Sequence, residues 1–259
     1  MDRLNLFNFY KDKEQNHEDV LTRNFLVLLK NIPVLQIGFF EMIREKTTNC
    51  IFPSIARGEL NVIEVHTQTT NGDSFFNQDC EANVLSILIS DDEFRTDHCV
   101  KPSERAARYD GVIRCDPSWL FIVENKPSAS NVWENQLDPS KEDVEGKNLI
   151  KDPCCLSWRD VIKLMNCILK NESVSGLERV FIEDFLEYVN DSFCWLNPYN
   201  KLSLCSGDKN LIDKRCEAIL SECFHKEINF HKGWKKYVDT ASEDGIVKQV
   251  ALDLESENN

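Results

Sequence analysis

The segment from Tyr109 to Lys126 constrains the fold of this chain more than any other. Tyr109-Asp-Gly-Val-Ile-Arg-Cys115 and Trp119-Leu-Phe-Ile-Val123 are two apolar runs separated by Asp116-Pro117-Ser118. Asp, Pro and Ser favour a tight reversal, so the segment reads as a β-hairpin. The second run is apolar at consecutive positions, a pattern that fits a strand covered on both faces. It is therefore expected to be a central strand. It leaves its apolar run through Glu124-Asn125-Lys126, three polar residues at the exit of a buried strand.

The flanking chain supplies the remaining layers. Leu21, Phe25, Leu28 and Ile32 fall at i, i+4, i+7 and i+11, one stripe of a helix from about Glu18 to Asn31. Pro33 stops it, and a short helix is expected from Ile37 to Glu45. Glu59 to Thr69 reads as a strand closed by the turn Asn71-Gly72-Asp73, and Val84 to Ser90 as another strand. The charged link from Asp91 to Arg108 is expected on the surface. After the hairpin, Asn131 to Leu137 reads as the start of a helix, and Asp138 to Asp152 as a polar loop. From Ser157 onward the pattern is helical. Trp158, Val161, Ile162, Met165 and Ile168 mark one helix, Leu177 to Tyr188 a second, and Leu211 to Phe224 a third. The prediction is an α/β fold with a central mixed sheet flanked by helices and a mainly helical C-terminal part. One domain is expected over 1–241, its core at about 18–137 and its helical part at about 151–235. An acidic tail or linker, 242–259, follows and is expected to fray.

Pairing about the Asp116–Ser118 turn puts Asp110 opposite Glu124 or Asn125, with the two carboxylates close together. Glu124 and Lys126 are two apart and share a face. Burying three such charges is costly unless they pair or bind a cation. Asp110, Glu124 and the backbone carbonyl of Asn125 are hard oxygen donors suited to Mg²⁺, with Mn²⁺ able to substitute. A lysine beside them can act on a water and offset developing phosphate charge. This is the equipment for metal-assisted phosphodiester hydrolysis. The plain alternative is that Asp110 caps a turn while Glu124 and Lys126 form a strand-end ion pair. Glu18 lies at the head of the apolar stripe and fits the same site, although a first-turn Glu is also stabilised simply by the helix dipole.

Charge bears on the substrate. Lys plus Arg number 30 against 44 Asp plus Glu, a net charge of −14. That argues against gripping nucleic acid through a broad basic surface, and against an anionic membrane. It leaves room for a compact site in which metal supplies the positive charge. The nine glycines form no phosphate-binding loop pattern. The 11 cysteines follow no regular framework, the first residues do not read as a leader, and no apolar stretch is long enough to span a bilayer. A cytoplasmic protein with reduced thiols is expected. Cys216, Cys223, His225 and His231 are spaced unlike common zinc ligands, so Cys216 is read as a buried thiol. Cys154-Cys155 is read as a loop or helix entry. His17 could approach a phosphate, but its position favours simple exposure.

Asp110 followed by Glu124-x-Lys126 at the end of an apolar strand resembles the PD-(D/E)XK nuclease superfamily. Glu18-Asp-Val-Leu21-Thr22 looks like the helix motif ExxLT that supplies an auxiliary acid in such enzymes. Trp133-Glu-Asn-Gln136-Leu looks like the following helix, where a Gln often supports the site. The resemblance implies a restriction-endonuclease-like core and a Mg²⁺-dependent endonuclease. Asp110 and Glu124 would be metal ligands, Lys126 would act on the attacking water, Glu18 would be an auxiliary ligand, and Gln136 a supporting residue. Tyr109 stands where the superfamily name has Pro. The arrangement, with Leu156-Ser-Trp158, is also similar to the N-terminal nuclease domains of Avs antiviral STAND NTPases. That similarity implies an antiphage effector acting on double-stranded DNA, working as a homo-oligomer or fused to sensor and ATPase domains. The competing expectation is a catalytically silent interaction module with a nuclease-like fold.

Overall fold

The computed structural model describes residues 6–7, 18–47, 52–70, 76, 81–91, 94–116, 118–128, 132–169 and 174–196, and 212, 215–216 and 219–220 beyond them. By internal contact the chain divides into two units, Met1–Ser192 and Phe193–Asn259. The sheet and its charged cluster belong to the first.

The first elements among the described residues are two helices, α1 (Glu18–Asn31) and α2 (Pro33–Lys46). Glu18 and Asp19 occupy the first turn of α1 and Lys30 its last, each at the end of the helix dipole that favours its charge. Pro33 both ends α1 and begins α2, where its missing N–H is no loss. The two helices bend by 111° at that break. The second helix thus begins earlier than the expected Ile37.

Four long strands follow: β1 (Asn61–Thr70), β2 (Asn83–Ser90), β3 (Arg108–Asp116) and β4 (Trp119–Lys126). β3 and β4 form the expected antiparallel hairpin, with Gly111 opposite Val123 and Cys115 opposite Trp119. Ser118, in the turn, has the left-handed φ of 43°. β1 pairs antiparallel with the other edge of β3, and β2 lies parallel to β4. Every residue of β4 is buried, as its unbroken apolar run requires.

The rest of the unit completes the sheet and its cover. α3 (Lys141–Val144) and two short strands, β5 (Asn148–Leu149) and β6 (Cys154–Ser157), precede α4 (Trp158–Leu169) and α5 (Gly176–Ser192). The strand order is β1-β3-β4-β2-β5, and β6 also pairs with β2. β5 lies parallel to the start of β2, and β6 to its end, with Ser157 beside Ser90. A mixed α/β fold with a six-stranded sheet flanked by helices is therefore present.

Aromatic packing seats the helices. Phe40 meets Phe121 of β4 at 5.0 Å between ring centroids, while Phe25 meets both Phe39 and Trp158 at 5.3 Å, all edge-to-face. Gly111 allows α1 its close approach to β3, since a Cβ there would collide with the Leu26 side chain. Against β2, the 3₁₀ turn Glu134–Leu137 is held by a 2.8 Å bond from Ser86 Oγ to the Leu137 carbonyl.

Three expectations are corrected. Cys154-Cys155, read as a loop or helix entry within a helical 151–235, opens strand β6. Four residues are too few to display an alternation, and the unpaired edge of β2 recruits them. Of Asn131–Leu137, read as a helix start, the described residues 132–137 hold one 3₁₀ turn, and the presumed loop Asp138–Asp152 contains α3 and β5. Of the third expected helix, residues 212, 215, 216, 219 and 220 are described and helical, and Cys216 is buried as expected. The turn Asn71–Asp73, His17, Cys223, His225, His231 and the tail 242–259 lie outside the described residues. Among the described residues no single helix is long and apolar enough to cross a membrane.

Candidate active site

At the exit of β4 the chain gathers Glu18, Asp110, Glu124 and Lys126. The Lys126 ammonium lies 3.0 Å from Glu18 Oε1 and 3.1 Å from Glu124 Oε1. The Asp110 carboxylate accepts a 2.9 Å hydrogen bond from the backbone N–H of Asn125, which fixes it between those two residues. The hairpin register that joins Gly111 to Val123 runs on toward Asp110 and Glu124, so spacing about the turn located this meeting correctly. Glu18 arrives from α1, a contact 108 residues apart in sequence.

The side chain of Asn125 anchors the start of α1. Its Nδ2 donates to Thr22 Oγ1 at 2.9 Å and to the Glu18 carbonyl at 3.3 Å, while its Oδ1 accepts from Trp158 Nε1 at 2.8 Å. One buried amide thus ties β4 to α1 and α4, and its own N–H holds Asp110. Sequence reading missed this role and saw Asn125 only through its backbone carbonyl. Two signals were present: Thr22 is polar within an apolar helix, and a buried indole N–H needs an acceptor. Asp19, also unremarked, accepts from Gln68 Nε2 at 2.7 Å and lies 3.6 Å from Arg108, pinning the start of α1 to β1 and β3. Gln68 takes the left-handed φ of 56° at that contact.

Gln136 is placed differently from the acids. It lies half-buried in the 3₁₀ turn, and among the described residues its side chain makes no hydrogen bond to the cluster.

Electrostatics separates this cluster from an ordinary surface ion pair. Glu124 and Lys126 are each only 6% exposed. Burial, then repulsion from Asp110, pushes the Glu124 carboxyl up to about 8, against the pull of Lys126. Burial likewise raises Asp110 to about 6, although the Asn125 N–H and Lys126 draw it down. Burial works against the Lys126 ammonium, but attraction to Glu124, Glu18 and Asp110 outweighs it and its pKa rises. Three acids face one lysine, so the ionised site lacks positive charge. Its donors are all oxygen, as a hard divalent cation requires. Among the described residues no group of three or more His, Cys, Asp or Glu forms a ready-made metal cage. With Glu18 and Glu124 both turned onto Lys126, holding a cation would mean sharing carboxylate oxygens with the ammonium.

The chain matches no family model, no curated protein and no solved structure.

Proposed function

We propose that the chain is a Mg²⁺-dependent endonuclease of the PD-(D/E)XK kind, hydrolysing DNA phosphodiester bonds at the end of β4. The observation that carries this reading is the convergence of Asp110, Glu124, Lys126 and Glu18 at the exit of β4, where burial first, and then repulsion from neighbouring acids, holds the Asp110 and Glu124 carboxyls above their usual range. Asp110, Glu124, Glu18 and the Asn125 carbonyl would hold the metal. When bound, Mg²⁺ supplies the charge that activates water and steadies the phosphate. The protein's own part is positional. Asn125 fixes Asp110 through its N–H and the α1 terminus through its amide. Lys126, gripped by Glu18 and Glu124, offers its ammonium as donor to a water or a phosphate oxygen.

The net charge of −14 bears on how DNA is held. Unaided affinity would be low at physiological salt, and assembly or attached domains would add positive surface. That fits an antiphage effector that is idle until assembled. A second reading, a silent interaction module, draws on the same Lys126 contacts, because a lysine held by two acids also makes a stable ion network.

Conversion of supercoiled plasmid to nicked or linear forms tests the first reading. Wild type should cleave with Mg²⁺ or Mn²⁺ and not with EDTA, and Lys126→Ala and Glu124→Gln should lose at least about a hundredfold in rate, the scale of losing a positioned acid–base or electrostatic group. Full activity in either variant would sink the assignment. Cleavage by no form, with wild-type partner binding by both variants, would favour the silent module.

A further inference from the structure

The sheet face that carries Glu124 also carries an exposed indole. Parallel register sets Leu88 of β2 beside Glu124 and Ser86 beside Ile122, and register neighbours share a face. The 3₁₀ turn Glu134–Leu137 is fixed on that face. Ser86 Oγ donates to the Leu137 carbonyl, and Val132 and Leu137 pack with Leu88. The turn is anchored at both ends: the Thr96 hydroxyl donates to Glu134, and the Lys101 N–H donates to Asp138 at 3.0 Å. Trp133 stands at the head of this turn, next to Val132, and is 74% exposed. An isolated exposed apolar residue needs no explanation. This one is held on a tethered turn, adjoining a side chain that packs on the register neighbour of Glu124.

The surroundings of Trp133 choose the ligand. Glu134 and Asn135, both exposed, follow it directly. The Glu134 carboxylate repels a phosphate, and the Asn135 amide can both donate and accept. They suit the edge of a nucleobase, whose amino and imino groups donate hydrogen bonds, while the indole offers a surface for its ring. A base inside a closed duplex has both faces covered by its neighbours and cannot stack on Trp133. Building on the nuclease reading, we propose that Trp133 is a stacking platform for an unpaired nucleobase beside the phosphodiester to be cut. The favoured substrate is then a single strand, or a duplex with frayed or flipped bases, rather than closed duplex.

The test measures binding of a labelled oligo-dT strand and of a blunt duplex of equal length to the Glu124→Gln chain in Mg²⁺, with Trp133 intact, Trp133→Ala or Trp133→Phe. Cleavage of both DNAs by chains that keep Glu124 runs alongside. Because Trp133 is exposed, the variants should melt as their parent does. Trp133→Ala should weaken single-strand binding about tenfold, as loss of one base stack does. Trp133→Phe should restore most of it, and duplex binding should change less. Unchanged single-strand affinity in Trp133→Ala, an equal loss on both DNAs, or no binding by the parent would overturn the proposal. The two readings fail separately. Mg²⁺-dependent cleavage with a wild-type KM in Trp133→Ala removes the platform and keeps the nuclease, whereas Trp133-dependent binding without any cleavage does the reverse.

Discussion

The two halves of β4 are both buried and chemically opposed. Trp119 to Val123 is packed by aromatic rings, with Phe52 against Trp119 and Phe40 and Phe52 against Phe121. Glu124 to Lys126 is buried as well, yet it carries an acid, an amide and an ammonium. Burial stabilises the first half, since each large apolar side chain removed from water contributes about 1.5–3 kcal/mol. In the second half burial works against the charged groups, as the raised pKa values of Glu124 and Asp110 record. A strand that could have run on in Val and Ile instead ends in charges that an apolar core does not need. The first half serves the fold. The second is where a function that needs buried charge would be placed.

Substitutions should separate the halves. The largest stability loss is expected from Phe121→Ala, about 3–5 kcal/mol by denaturant unfolding, because it empties a site lined by Phe40, Phe52 and Trp119. Next comes Asn125→Ala, about 2–3 kcal/mol, since the indole N–H of Trp158 and the hydroxyl of Thr22 lose a buried partner. Unlike Phe121→Ala, it should also depress cleavage in protein that remains folded, by freeing the α1 terminus and with it Glu18. A smaller effect, opposite in sign, is expected from Glu124→Gln in EDTA. The folded pKa of Glu124 lies near 8, above its ordinary 4.5, so its stabilising contribution is complete below about pH 4.5 and is lost as pH rises toward 8. Wild type without metal should therefore weaken between pH 5 and 8, as followed by thermal melting, and Glu124→Gln should weaken less. The smallest effect is expected from Lys141→Ala. That ion pair with Glu104 is exposed on both sides, and its loss should leave the melting temperature unchanged within error.

The halves of β4 also differ in how legible they were. The apolar half announced a buried central strand by its consecutive hydrophobic residues. The meeting of Asp110 with Glu124 followed from counting across the turn, and Glu18 from its place on the α1 stripe. Each rests on local periodicity, which sequence carries directly. The Asn125–Trp158 bond joins residues 33 apart, on a strand and a helix whose packing no spacing rule supplies. β6 escaped for a related reason, because its four residues are a strand only by virtue of the β2 edge beside them. Gln136 was placed by resemblance to a following helix. The chain makes a single 3₁₀ turn there, and that side chain is left without a bond to the acids.

Thermal melting at pH 7.5 with and without Mg²⁺, for wild type and for Asp110→Asn/Glu124→Gln, tests most directly whether the polar half of β4 is built for a cation. A cation that binds the folded chain alone must raise its melting temperature, most where the acids are charged and unneutralised. Wild type is expected to gain a few degrees in Mg²⁺, and the double variant to melt higher than wild type in EDTA and gain nothing from the metal. An equal Mg²⁺ response in both proteins, or none in wild type, would contradict the account and leave the cluster as an ion network that only closes the end of the sheet.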